Sequence, residues 1–262
     1  MRALYTAATG MAAQELNVQV ISNNIANLRT TGYKKQRAAF QDLIYDHVRR
    51  VGAQASDQGT ILPVGVDIGG GVKTVGTPRL MTQGTLSQTG SPLDIGIRGE
   101  GFFKIQLPDG TYAYTRDGSF QMDAQGRIVT LQGNPVQPTI TIPQNSSGLT
   151  INAQGQVSVT LPGSTTPSTV GQIGLTRFIN KAGLNPIGDN LFTDTPASGT
   201  PQDGIAATDG YGDMQQSNLE QANVEVVTEI SDLIAAQRAY EMNAKVVSAA
   251  DQMMQSTSNM FR

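Results

Sequence analysis

The sequence predicts an α+β protein in which long N- and C-terminal helices form a coiled-coil-like domain beside a central, mainly antiparallel β domain. Two observations carry most of that expectation. All 12 prolines lie between Pro63 and Pro201, and 27 of the 29 glycines lie between Gly52 and Gly212. Pro costs about 3 kcal/mol in a helix interior and Gly about 1 kcal/mol, so the ends suit helices and the middle suits turns. Apolar residues recur at helical spacing at both ends, whereas in the middle they alternate.

In the first segment Leu4, Ala7, Met11, Gln14, Val18, Ile21, Ile25 and Leu28 follow the 3,4 spacing of a coiled-coil seam with one polar interruption. From Val226 the same rule runs through Ile230, Leu233, Gln237, Tyr240, Ala244, Val247, Asp251, Met254 and Ser258 to Phe261. Ser217 with Glu220 three residues on has the form of a capping box, in which each side chain satisfies the other's orphan backbone N–H, and the second helix is expected to start there. At 1.5 Å per residue it would then run roughly 65–70 Å against roughly 40 Å for the first. A single amphipathic helix usually lies on its own domain. Here the two seams differ in length, so apolar surface is left over on the longer one, and soluble monomers avoid such patches. Residues 1–50 carry seven Lys or Arg against three Asp or Glu, and 210–262 carry three against seven, so the ends are also complementary in charge.

The middle reads as short strands. Leu93, Ile95 and Ile97 alternate, Gly99–Gly101 turns the chain into Phe102, Phe103 and Ile105, and Pro108–Gly110 turns it again. An antiparallel meander through Tyr112, Tyr114, Phe120, Met122 and Ile128 is expected to continue it. Asp123-Ala-Gln-Gly126 recurs as Asn152-Ala-Gln-Gly155, which suggests two similar hairpins. Stretches 52–60, 162–169 and 194–210 read as loops or linkers. The expected division is 1–37 with 213–262 as the helical domain, 38–71 as an extended connection and 72–212 as the β domain.

Composition argues against most chemistry. With no Cys and one His, thiolate or multi-histidine metal sites are not expected. A net charge of -3 offers no general attraction to nucleic acid or an anionic bilayer. Gly96, Gly99 and Gly101 lack the spacing of a dinucleotide loop, since Lys104 stands where another glycine is needed. Asp94, Glu100, Asp109, Asp117 and Asp123 are the carboxylates from which a glycosidase pair could be drawn. Most stand beside glycines, where Asp stabilises the turn itself. Arg29, Lys34, Lys35 and Arg37 follow a helix end, where cations favour the dipole, so a structural or partner-charge role is preferred to phosphate binding. The triple glycine 69–71 reads as a flexible or closely approached backbone. No catalytic, cofactor or metal residue is assigned. No apolar run reaches the roughly 18 residues of a membrane helix, and the first residues lack the apolar core of a signal peptide.

Ser22, Asn23, Asn24, Ile25, Ala26 and Asn27, followed by Thr31, Gly32, Tyr33 and Lys34, resemble the N-terminal signature of the flagellar axial proteins, the rod and hook family. Leu219, Glu220, Asn223 and Val224, then Gln237, Arg238, Ala239, Tyr240, Glu241, Asn243 and Lys245, then Asp251, Gln252 and Met253, are similar to the family's second signature. Ala222 departs from it where Ser is usual. Gln83, Gly84, Leu86, Ser87, Leu93, Asp94, Gly99, Gly101, Phe102, Phe103, Thr115, Arg116, Asp117, Gly118 and Phe120 resemble its β domain.

The resemblance implies a non-enzymatic subunit of a rigid helical tube that transmits torque, most similar to the members of the distal shaft. The proximal rod and hook members are the alternatives. The resemblance further implies a self-assembling homopolymer that meets proximal rod proteins, hook protein and the surrounding P- and L-ring proteins in the periplasm. Export would be through the flagellar type III apparatus without a cleaved signal, with no nucleic acid, no cofactor and no membrane insertion. The assembly seam is then expected to comprise Leu4, Met11, Val18, Ile21, Ile25, Leu28, Val226, Ile230, Leu233, Tyr240, Val247, Met254 and Phe261, with termini that order on docking. Residues 53–71 would stiffen the tube. A monomeric β-rich binding module and a wall-cleaving hydrolase are the competing classes.

Overall fold

A computed structural model describes residues 2–49, 64–146, 148–163 and 166–260. The chain divides into two compact units, one made of 1–25, 36–78 and 225–262 and the other of 26–35 and 79–224. Residues 26–35 and 213–224 thus group with the β unit, and the described part of 38–71 groups with the helices. The stretch 52–60, expected to be a loop or linker, lies outside the described residues, as does most of the segment 53–71.

The first unit holds both long helices. Helix α1 spans Arg2–Ala26 and helix α2 spans Val226–Met260, about 37 and 52 Å at 1.5 Å per residue. The second helix therefore starts nine residues later than the capping-box reading placed it. Ser217 has φ +56°, and Asn218–Glu220 is a strand paired with Leu86–Gln88. Glu220 carries no cap; its carboxylate is occupied elsewhere, as described below. The helices run antiparallel, because Asn24 meets Glu229 and Gly10 faces Asn243, two contacts that step 14 residues in opposite directions.

Two β ribbons complete this unit. Ala39–Asp42 pairs with Val72–Gly76 and Tyr45–Arg49 with Val66–Gly69. A Cβ on Gly71, at φ +111°, would lie 2.3 Å from Thr9 Oγ1, so the glycine run provides the closely approached backbone that was expected.

The second unit is built on a five-stranded antiparallel sheet in the order Val136–Gln137, Phe103–Gln106, Tyr112–Thr115, Leu191–Thr193, Asn185–Gly188. Gly148–Ile151, Gln156–Thr160 and Ser168–Gln172 form a three-stranded sheet. The meander holds only in part. Phe103–Gln106 and Tyr112–Thr115 do form a hairpin, but Ile95–Arg98 pairs with Asp213–Gln216, over a hundred residues away, where Arg98 and Asp213 stand opposite one another and form a bidentate ion pair. The 194–210 loop likewise contains a strand, Gln202–Ile205, paired with Gly174–Arg177, and 162–169 runs into the strand that begins at Ser168.

Strand alternation sorts side chains into two cores. Phe103, Ile105 and Ala113 enter a large aliphatic core with Ile95, Ile97 and Ile173. Phe102 and Tyr114 enter an aromatic cluster with Phe178, Leu184 and Phe192, packed edge to face. The two related turns are the same device. Asp123 accepts N–H bonds from Gln125 and Arg127, and Asn152 accepts them from Gln154 and Gln156, with Gly126 and Gly155 at φ +81° and +76°.

Candidate assembly surface

The inner face of α2 combines small, polar and aliphatic side chains. Glu229, Ala236 and Ala250 are buried, and Leu233, Asn243 and Val247 are half-buried. Their spacing of 4, 3, 7, 4 and 3 is that of a helix seam. On α1 the buried residues are Ala7, Ala13, Val20, Ile21 and Asn24. Asn24 Nδ2 donates to Glu229 Oε2 at 3.1 Å and to Gln36 O at 2.9 Å, while Asn24 Oδ1 accepts the Gln36 N–H at 3.0 Å. A Cβ on Gly10 would stand 2.9 Å from Asn243 Nδ2, so Gly at this position lets the two helices approach.

The exposed side of α2 carries large apolar side chains among its charged and polar ones. Val227 is 74% exposed, and Ile230, Ile234, Met242, Val246, Met253 and Met260 are exposed with it. Exposed apolar side chains in this number mark a surface that is covered by something else, yet no helix of the described chain is long and apolar enough to cross a membrane. After Ala250 every described residue of α2 is exposed.

The expected seam distributes unevenly over these surfaces. Ile21 is buried; Leu4, Met11, Val18 and Ile25 are half-buried, and so is Leu28, which lies beyond the end of α1. Leu233 and Val247 sit on the inner side, whereas Val226, Ile230, Tyr240 and Met254 are exposed. Phe261 lies outside the described residues.

Most of the N-terminal signature shapes backbone. Gly32 adopts φ +67°, and a Cβ there would meet Asp117 N at 2.7 Å; its N–H donates to Glu220 O at 2.8 Å. Tyr33 is buried, Thr30 Oγ1 donates to Asn27 Oδ1, and Asn190 donates to Thr31 O. Ala26 and Asn23 are exposed on α1's last turn. In the C-terminal signature Gln237, Arg238, Tyr240 and Glu241 are exposed along α2, and Ala239 and Asn243 are half-buried.

What sequence reasoning missed is the charge cluster that joins the two signatures inside the β unit. Lys34, Arg116 and Glu220 are all buried, with Lys34 1% exposed. Lys34 Nζ is 2.6 Å from Glu220 Oε1 and donates to Thr82 O at 2.8 Å, and the Gly84 N–H donates to the same Oε1 at 2.8 Å. Arg116 Nε is 3.0 Å from Glu220 Oε2, an ion-pair distance without hydrogen-bond alignment, while its terminal nitrogens donate to Gly101 O and Gly99 O. Burial lowers the pKa of both Lys34 and Arg116, and the Glu220 carboxylate opposes that shift. The nearest available signal was the presence of Lys34, Arg116 and Glu220 within the quoted signatures. The basic residue Lys34 is thus structural.

Three of the carboxylates considered for catalysis hold turns, and Glu100 pairs with Lys181. Asp109 accepts from Thr111, and Asp117 from Ser119, two residues on in each case; Asp123 does the same as described. Among the described residues no group of three His, Asp or Glu side chains is placed to hold a metal ion. His47 lies in a ribbon, 2.6 Å from Asp67. These features define a class: an α+β chain that exposes large apolar side chains along its C-terminal helix and, among the described residues, groups no side chains to hold a metal ion.

Comparison with known proteins gives the class its family. Residues 4–34 match the family described as flagella basal body rod protein, 96–159 the flagellar hook protein FlgE/F/G D1 domain, and 215–260 the flagellar basal body rod FlgEFG protein C-terminal region. The chain is 54% identical over 260 residues to the flagellar basal-body rod protein FlgG of Caulobacter vibrioides, covering 99% of each chain. It is 46% identical over 264 residues to FlgG of Borreliella burgdorferi, covering 100% of this chain and 99% of that one. Identity to the rod protein FlgF of Salmonella typhimurium is 32% over 257 residues, covering 95% and 94%. The chain belongs to the flagellar basal-body rod protein family, on its FlgG side.

Proposed function

We propose that this chain is a structural subunit of the flagellar distal rod, polymerising helically into a rigid hollow shaft that carries torque from motor to hook. The observation that carries the reading is the set of large apolar side chains exposed along α2, which the described chain does not itself cover. Each such side chain gains about 1.5–3 kcal/mol on full burial, so repeated contact between copies is a strong driving force. In this reading the terminal helices pack in coiled-coil fashion within and between copies, the β domain of roughly 72–212 faces outward, and the segment 38–71 connects them and stiffens the shaft. Proximal rod proteins, hook protein and the P- and L-ring proteins adjoin the rod in the periplasm. The type III export apparatus delivers the chain, and the chain's role is mechanical, with no catalysis.

Electron microscopy of basal bodies from a strain with an in-frame deletion of the gene tests this. A proximal rod lacking distal shaft, outer rings and hook is the expected result. A complete rod lacking only the hook would move the assignment to the hook subunit, and normal flagella would contradict it.

A further inference from the structure

Continuing the antiparallel register of Asn24 with Glu229 and Gly10 with Asn243 brings residue 2 level with residue 251. Beyond that point α2 has no α1 beside it. Burial on α2 stops after Ala250, where α1 runs out, and the helix nevertheless continues to Met260. This overhang is about 13 Å long at 1.5 Å per residue. From 246 to 260 its single charged residue is Asp251, and it exposes Met253, Met254 and Met260. Methionine is unbranched and polarizable and fits irregular apolar gaps.

The same unit carries a groove of about 330 Å³ between the first turns of α1 and the ribbon Tyr45–Arg49 with Val66–Gly69. Its apolar walls are Tyr5, Ile44 and Ile68, with Ile44 90% exposed, and Gly69 and Gly70 form part of the lining. An ion pair between Arg2 and Asp46 bounds it. The overhang of the same chain cannot turn into this groove, because an unbroken helix carries it away from the level of residues 2–6 by 1.5 Å per residue.

We propose that the overhanging end of α2 in one copy seats its methionines in the Tyr5–Ile44–Ile68 groove of the next copy. Two observations favour a second copy as occupant: the overhang begins where the chain's own cover ends, and its exposed methionines match the apolar walls of the groove. Knob and groove are different surfaces of one unit, so the contact is heterologous and each added copy presents a fresh site. The proposal rests on the rod-subunit reading and specifies which surfaces make the contact.

The chain has no cysteine, so engineered thiols report this contact alone. The double variant Ile68→Cys/Met253→Cys is expressed in place of the native chain, basal bodies are isolated, and the thiols are oxidised. A ladder of dimers and higher species on a non-reducing gel is expected, at least fivefold above the control Ile179→Cys/Met253→Cys. Ile44→Cys/Met260→Cys reads the same contact if the first pair is poorly incorporated. A fast-migrating monomer would mean that the overhang folds onto its own groove, and dimers without a ladder would mean a closed contact; either overturns the proposal. Normal rods with no ladder from either pair overturn it and leave the rod-subunit reading intact. Normal flagella in the deletion strain would overturn that reading instead.

Discussion

Glu220→Gln should destabilise the β unit far more than Lys34→Met, although both break the same 2.6 Å contact. The buried site holds two cations and one carboxylate. Removing the carboxylate's charge leaves Lys34 and Arg116 buried without their counter-charge, a loss of about 3–5 kcal/mol for breaking a buried pair from one side. Gln can still accept from the Gly84 N–H, so that bond does not add to the loss. Lys34→Met leaves Arg116 facing Glu220 as a neutral pair and forfeits the bond to Thr82 O, which also accepts from Asn223. That costs about 1–3 kcal/mol, the range for lost hydrogen bonds to charged groups. With a urea slope of about 2–3 kcal/mol per M, the midpoint of Glu220→Gln falls by roughly 1–2.5 M. Near-UV circular dichroism reads it, since Tyr114 is locked edge to face against Phe178 in the same unit. A loss for Lys34→Met equal to or above that for Glu220→Gln would refute the argument, because it would mean that the carboxylate is not the group holding the cluster together.

Further outcomes follow from the same geometry. Lys34 has its folded pKa lowered by burial from 10.5, so the unfolded chain binds more protons and stability should rise with pH between the folded value and 10.5; Lys34→Met should flatten that slope in urea titrations. Tyr114 is pushed up from 10.0 to about 12, chiefly by burial, so its contribution is intact below pH 10 and lost between 10 and 12. Tyr114→Phe should remove this alkaline loss, seen as a smaller fall of the urea midpoint across that interval. Gly32→Ala forces a Cβ into left-handed backbone at about 1–2 kcal/mol and against Asp117 N, so a loss above 2 kcal/mol is expected, and a neutral effect on the urea midpoint would contradict the fit.

The parts of this fold that were legible in sequence are those encoded locally. Proline-free ends with 3.6-residue periodicity mark the helices, and the paired Asx turns at Asp123 and Asn152 declare themselves in four residues. Pairing at long range is not encoded that way: nothing near Ile95 announces Asp213–Gln216 as its partner. Ser217 and Glu220 carry the letters of a cap, yet the positive φ of Ser217 and the two cations around Glu220 depend on groups as far as 186 residues away. On α2 the hydropathy rule favours Ile230 over Glu229, but Glu229 is the buried one because Asn24 supplies its hydrogen bond. The inner side of α2 mixes Glu229, Ala236, Asn243 and Ala250 with Leu233 and Val247, while other large apolar residues such as Ile230 and Val246 are exposed. A seam search finds apolar residues without telling which molecule covers them.

That distinction separates two neighbouring valines. Val247 is half-buried on the inner side of α2, and Val246 is exposed on the outer side. The most direct test is therefore electron microscopy of basal bodies from cells whose only copy is Val246→Asp, with helix content and urea midpoint of the purified variant measured alongside. The account predicts an unchanged monomer and no distal shaft. A full-length rod built from Val246→Asp subunits would contradict it.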